Sequence, residues 1–130
     1  AQIGGASGPI IPKSMLDIPY TYEDFGKEGY SLGTGAILVA DDTNSVAEFM
    51  VTVQEFFVHE SCGKCTPCRE GNRQLLKLAH KIADRKATVE DFLTVKRIAN
   101  VMNKCSFCGL GTAAPTAMVT AIQHFYDMYN

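Results

Sequence analysis

The cysteines constrain this chain more than any other feature. Three stand in the stretch Glu60-Ser61-Cys62-Gly63-Lys64-Cys65-Thr66-Pro67-Cys68-Arg69-Glu70-Gly71, and Cys105 and Cys108 follow further along. A Cys-x-x-Cys-x-x-Cys loop is tight enough to wrap three thiolates around one face of a cuboidal four-iron cluster. The fourth corner must then come from a remote cysteine. Two other readings compete. Cys62/Cys65 and Cys105/Cys108 could form a four-thiolate zinc site that leaves Cys68 unused. The plainest alternative is a set of free thiols that behave as small hydrophobes. The tripled spacing favours iron–sulfur. A disulfide framework fits least, because the cysteine count of five is odd and a helical core is available without bridges.

That core is written in the second part of the chain. From about residue 45 apolar residues recur at the helical period. The first segment aligns Val46, Phe49, Met50, Val53, Phe56 and Phe57, with Thr43, Asn44 or Ser45 as cap. The second aligns Leu75, Leu78, Ala79 and Ile82. The third aligns Val89, Phe92, Val95, Ile98, Ala99 and Met102 behind a natural N-cap, Thr88. The fourth aligns Met118, Val119, Ile122, Phe125, Tyr126 and Tyr129. The expected fold is mainly α: a four-helix up-down bundle over residues 45–130. Residues 1–44 read differently, broken by glycine and proline, with Gly4-Gly5-Ala6-Ser7-Gly8 as a turn and Tyr20–Phe25 as a short helical turn. Ala36-Ile37-Leu38-Val39 reads as a buried strand.

In an up-down bundle, the first and third interhelical connections fall at the same end. Those two connections carry all the cysteines, whereas the turn around Asp84-Arg85-Lys86-Ala87 lies at the other end and has none. Helix periodicity and metal spacing therefore agree independently. Thr66-Pro67 reads as an N-cap followed by proline at the first helical position. That would place Cys68 in the first turn, near the positive end of the helix dipole. Thr112 and Pro115 suggest a similar start for the fourth helix. Lys64, Arg69 and Lys104 could add positive charge against an anionic cluster. For the fourth ligand, the glycines after Cys108 favour it over Cys105, although spacing alone leaves both open. His59 reads as a helix-end residue, and His80 and His124 as surface or packing residues; no catalytic constellation accompanies the cysteines.

Net charge is −2, with none of the basic stripe expected of a nucleic-acid binder. No apolar run approaches the roughly eighteen residues of a membrane span, and reduced thiols suit a cytoplasmic setting.

The twelve-residue cysteine stretch, with Ser106-Phe107-Cys108-Gly109-Leu110-Gly111 downstream, resembles the C-terminal part of the NADH- and flavin-binding subunit of complex I and its relatives, the NAD-linked hydrogenases and formate dehydrogenases. Gly4–Gly8, Leu16-Asp17-Ile18-Pro19 and Gly33-Thr34-Gly35-Ala36-Ile37 resemble part of that family's β-grasp domain, so residues 1–44 are expected to be a partial β-grasp segment. Gly109-Leu110-Gly111 leans toward the hydrogenase-type branch. The resemblance implies that Cys62, Cys65, Cys68 and Cys108 hold a [4Fe–4S] cluster, with Cys105 a bystander. It implies an electron-transfer role, passing single electrons from reduced flavin to a downstream iron–sulfur centre, with FMN and NADH bound by an upstream domain that this chain does not carry. The implied partners are that domain, a thioredoxin-like [2Fe–2S] subunit and a larger iron–sulfur subunit, held at most peripherally on the cytoplasmic face of a membrane. The rival expectation is a structural docking module that a metal merely staples.

Overall fold

A computed structural model describes residues 1–128 of the chain. It is mainly helical. In chain order it has β1 (Gln2–Ile3), α1 (Tyr22–Lys27), β2 (Ile37–Leu38), α2 (Val46–Glu60), α3 (Thr66–Ala83), α4 (Val89–Cys105), α5 (Gly109–Ala113) and α6 (Thr116–Phe125), with short 3-10 turns at Lys13–Met15 and Tyr126–Met128. Among the described residues no helix is long and apolar enough to cross a membrane.

The long helices begin where side chains can satisfy their first N–H groups. Ser45 accepts from the Glu48 N–H at 3.3 Å to start α2. Thr88 starts α4 with a capping box: its hydroxyl accepts from the Asp91 N–H, and the Asp91 carboxylate accepts from the Thr88 N–H at 2.8 Å. Their apolar faces then close on one another. α2 packs on α3, α3 on α4, α4 on α6, and α6 back on α2. Met50, Val53, Phe57, Leu75, Leu78, Ala79, Ile82, Phe92, Val95, Met102, Met118 and Ile122 form one continuous core. Complete burial of a side chain such as Leu75 stabilises by about 1.5–3 kcal/mol. An exposed ion pair such as Arg97–Glu90, by contrast, contributes at most about 1 kcal/mol. The core therefore sets the arrangement, and the surface charges follow it.

Each expected face is present with its margin trimmed. Phe56 and Val89 stay largely outside, and Phe49, Ile98, Val119, Phe125 and Tyr126 are only partly covered. Tyr129 lies outside the described residues. The fourth segment is also broken: α5 ends at Ala113, and α6 begins after Pro115, which lacks the N–H to continue a helix from the preceding turn.

Residues before α2 form a second, smaller core from Ile3, Ile11, Phe25 and Leu32. The Ile10-Ile11 pair is divided between the two. Ile11 enters the small core, whereas Ile10 joins the helical one and its N–H donates to Thr120 Oγ1 at 2.9 Å. Tyr30 Oη and His124 Nε2, 2.9 Å apart, add a second tie to α6. α1 forms with Thr21 as its cap. The expected buried strand needs correction. β2 forms and pairs antiparallel with β1, but Ile37, Leu38 and Val39 are 54%, 48% and 72% exposed. A strand is buried only when something covers its faces: β1 is covered, with Ile3 in the small core, whereas β2 lies on the outside of the ribbon.

The helix ends generate two predictions. The α3 terminus is a Schellman turn in which the Lys86 N–H donates to Lys81 O and the Arg85 N–H to Ile82 O. It forces Arg85 to φ 55°, a conformation that costs an L-residue roughly 1–2 kcal/mol. Arg85→Gly should therefore raise the thermal midpoint, with glycine's own entropy cost of about 0.5–1 kcal/mol taking back part of the gain. Asp91 accepts from Lys81 Nζ at 2.7 Å as well as from Thr88, and these partners lower its pKa to about 2. A depressed carboxylate stabilises fully above its ordinary pKa of 3.8 and progressively less as pH falls toward 2. Melting curves across that window should show a steeper loss for the native chain than for Asp91→Asn.

Candidate metal centre

The connection from α2 to α3 is built to present sulfur. α2 ends at Glu60, and Ser61 turns the chain into extended backbone. Gly63, at φ 74°, makes the bend that lets Cys62 and Cys65 lie on the same loop. Arg69 holds this loop from below: its Nη1 donates to Gly63 O at 2.6 Å, while Nε pairs with Glu70 at 3.0 Å. α3 begins one residue earlier than expected, with Cys65 rather than Thr66 as N-cap and Pro67 at the second helical position. Cys68 is still in the first turn, at the positive end of the helix dipole.

The second connection approaches from the end of α4. Cys105 is the last residue of that helix and is exposed. Cys108 is the N-cap of α5. Cys62, Cys65, Cys68 and Cys108 line one cavity of about 260 Å³, together with Glu60, Ser61, Lys64, Phe107 and Leu110. Cys105 is not among its walls, so the two-pair zinc arrangement does not face a common space. Among the described residues no three His, Cys, Asp or Glu side chains gather tightly enough for a single ion. Cys62, Cys65, Cys68 and Cys108 are instead spread over the walls of the cavity. Lys64 lies at its edge; Arg69 is committed to the loop and Glu70, and Lys104 is exposed on the last turn of α4.

The two connections touch directly. N–H groups of Phe107 and of Cys68 hold the Cys65 thiol below its ordinary pKa, with a smaller contribution from the Arg69 charge. Gly111 sits so close that an added Cβ would lie 2.6 Å from Ser106 Oγ and 2.9 Å from Cys68 Cβ. Here glycine is needed for close approach. Ser106 Oγ is buried with no hydrogen-bond partner among the described residues. The donor set therefore suits the group: four sulfurs, N–H groups turned to one of them, and a buried hydroxyl still to be satisfied beside Cys68.

Several residues here have no counterpart in the pattern of cysteines and apolar faces. Ser61 Oγ lies 3.3 Å from Cys68 Sγ. Asn72, fully buried, donates from Nδ2 to Cys68 O at 3.0 Å and to Cys68 Sγ at 3.3 Å, and Gln54 Nε2 donates to Asn72 Oδ1 at 2.7 Å. Spacing offers a signal for both: Asn72 is four residues after Cys68 and so on the same helix face, and Gln54, four residues after Met50 and three before Phe57, falls on the buried face of α2. His59 stands exposed at the end of α2 beside Glu60, His80 is exposed on α3, and neither approaches the thiols.

Comparison with known proteins gives this geometry a family. A family model described as the NADH-ubiquinone oxidoreductase-F iron-sulfur binding region matches residues 48–130. The F subunit of the NADH-quinone oxidoreductase of Streptomyces coelicolor is 39% identical over 97% of this chain and 28% of its own length. Its counterpart in Rickettsia typhi is 32% identical over 95% of this chain and 30% of its own. Among solved structures, an NAD+-reducing [NiFe]-hydrogenase in the H2-reduced state superposes with a TM-score of 0.86 at 31% identity, over 98% of this chain and 22% of that one. The chain thus spans less than a third of the curated relatives it matches. It belongs to the NADH-ubiquinone oxidoreductase-F iron-sulfur binding family, and its cofactor is a [4Fe–4S] cluster.

Proposed function

We propose that the chain is an electron-transfer module of a multisubunit NADH-linked oxidoreductase, in which single electrons pass from reduced flavin through its [4Fe–4S] cluster to a downstream iron–sulfur centre. The observation that carries this reading is the shared cavity: the three motif cysteines and Cys108 line it, and Cys105 does not. We assign Cys62, Cys65, Cys68 and Cys108 as the ligands and Cys105 as a bystander. When bound, the cluster supplies one-electron chemistry that no side chain here offers. The chain's own residues do the rest. Arg69 and Gly63 shape the loop, the Phe107 and Cys68 N–H groups favour thiolate at Cys65, and Leu110 and Phe107 supply apolar wall.

The same reading takes α2, α3, α4 and the α5–α6 pair as a four-helix up-down bundle over residues 45–130, carrying the site at one end, with 1–44 as a partial β-grasp segment docked through Ile10 and Tyr30. The cyclic packing of the helices supports it. Its partners would be an FMN- and NADH-binding domain, a thioredoxin-like [2Fe–2S] subunit and a larger iron–sulfur subunit, in a cytoplasmic complex. The relatives, which are parts of an oxidoreductase and a hydrogenase, support membership of such an assembly. They include both a quinone-linked and a hydrogen-linked enzyme, so the Gly109-Leu110-Gly111 lean toward the latter has no further support.

Anaerobic reconstitution with iron and sulfide should give a brown protein with about four irons per chain, and dithionite should produce a paramagnetic reduced state by EPR. A cluster with no accessible reduced state would leave only a structural staple, and a colourless protein holding one zinc would end the reading. Iron analysis of single variants should divide the second connection: Cys108→Ala should lose iron, whereas Cys105→Ala should retain it.

A further inference from the structure

Cys68 differs from the other cavity thiols in its surroundings. Like Cys65 it is buried, but two side chains also direct polar atoms at its sulfur: Ser61 Oγ and Asn72 Nδ2, each at 3.3 Å. Asn72 is the more constrained. It lies one helical turn beyond Cys68 with no solvent exposure, so its amide cannot exchange a protein partner for water.

The orientation of that amide is settled by chemistry. The atom 3.0 Å from Cys68 O must be a donor, because an amide oxygen there would face a carbonyl oxygen. The NH2 group therefore faces Cys68, and one N–H remains for the sulfur. On the other side, the Asn72 oxygen accepts from Gln54 Nε2 at 2.7 Å, and Gln54 is itself 1% exposed, on the neighbouring helix α2. A Gln54–Asn72–Cys68 chain thus runs from the interior between α2 and α3 to the sulfur. Burying two amides in an apolar core is unfavourable unless their hydrogen bonds are made. Leucine at both positions would pack without that requirement.

We propose that Asn72, held by Gln54, is a positioning residue that tunes the cluster's reduction potential through an N–H···S bond to Cys68; this rests on the reading of Cys68 as a cluster ligand. An N–H directed at a ligand sulfur stabilises the more negatively charged, reduced state and so raises the potential. Low dielectric around the amides strengthens the effect. A purely structural role for the pair would change stability and leave the potential alone.

The test is an EPR-monitored redox titration of the chain with its reconstituted cluster, with iron content and melting temperature measured on the same samples. Asn72→Leu should keep about four irons and lower the midpoint, by up to about tenfold in the reduction equilibrium, or about 59 mV for one electron. Gln54→Leu should shift it in the same direction by less, since Asn72 stays in place but is less firmly held. An unchanged midpoint in an Asn72→Leu protein that retains its iron overturns the inference while leaving the ligand assignment intact. If both variants lose iron, the unaltered chain decides. With 15N in the asparagine side-chain amides, pulsed EPR of the reduced cluster should detect a coupled 15N nucleus, and its absence overturns the inference. Failure of the unaltered chain to take up iron would overturn the proposed function itself.

Discussion

The structure depends on the close approach of two turns that are remote in sequence. The α2–α3 connection carries three sulfurs, and the segment from Ser106 to Gly111 carries the fourth. Their contact is backbone-close: the Phe107 N–H serves Cys65, and Gly111 lies where a methyl group would collide with Cys68. Such an approach cannot come from the turns alone, because two loops have no surface to bury. It is imposed by the helices behind them. α2 against α3 and α3 against α4 bury large apolar side chains, at about 1.5–3 kcal/mol for each, and that packing positions the turns.

This explains which parts of the molecule were legible in the sequence. Leu75, Leu78, Ala79 and Ile82 read as a helix face because burial on a helix has one period, and all four are buried. Thr88 read as a cap because its side chain and Asp91 satisfy donors that every helix start leaves open. The meeting of the two cysteine connections was expected from counting helices, and Cys108 does share a cavity with the three motif cysteines. These are local or nearly local rules. Ile37-Leu38-Val39 went wrong because an apolar run reports a tendency to be buried, while burial itself is supplied by another layer. The start of α3 shifted by one residue because Cys65 takes the extended conformation that an N-cap needs.

Gln54 and Asn72 were missed for a different reason. Binary patterning treats a polar residue on a helix as solvent-facing. Both are instead buried, and each is tolerable only because the other, and Cys68, complete its hydrogen bonds. A pair of that kind cannot be read from one helix, since its logic lies between α2 and α3. Local rules fail most readily where function has displaced an apolar side chain, so the exceptions to the pattern mark the site as much as the cysteines do.

The electrostatics point the same way. A cluster with four thiolates is anionic in every redox state, and a chain of net charge −2 adds no general attraction for it. Full positive charges are scarce at the cavity: Lys64 stands at its edge, and Arg69 is spent on Gly63 O and Glu70. What faces the sulfurs is mostly dipolar, from backbone N–H groups, a hydroxyl and an amide. Under the proposed function, fixed dipoles suit a centre that gains and loses an electron with little rearrangement. They are already oriented by helix and core, so they need not reorganise when the charge changes. A mobile surface lysine would have to. Rigid packing and the proposed redox function therefore ask for the same thing here: an ordered core that holds polar groups still beside the sulfur atoms.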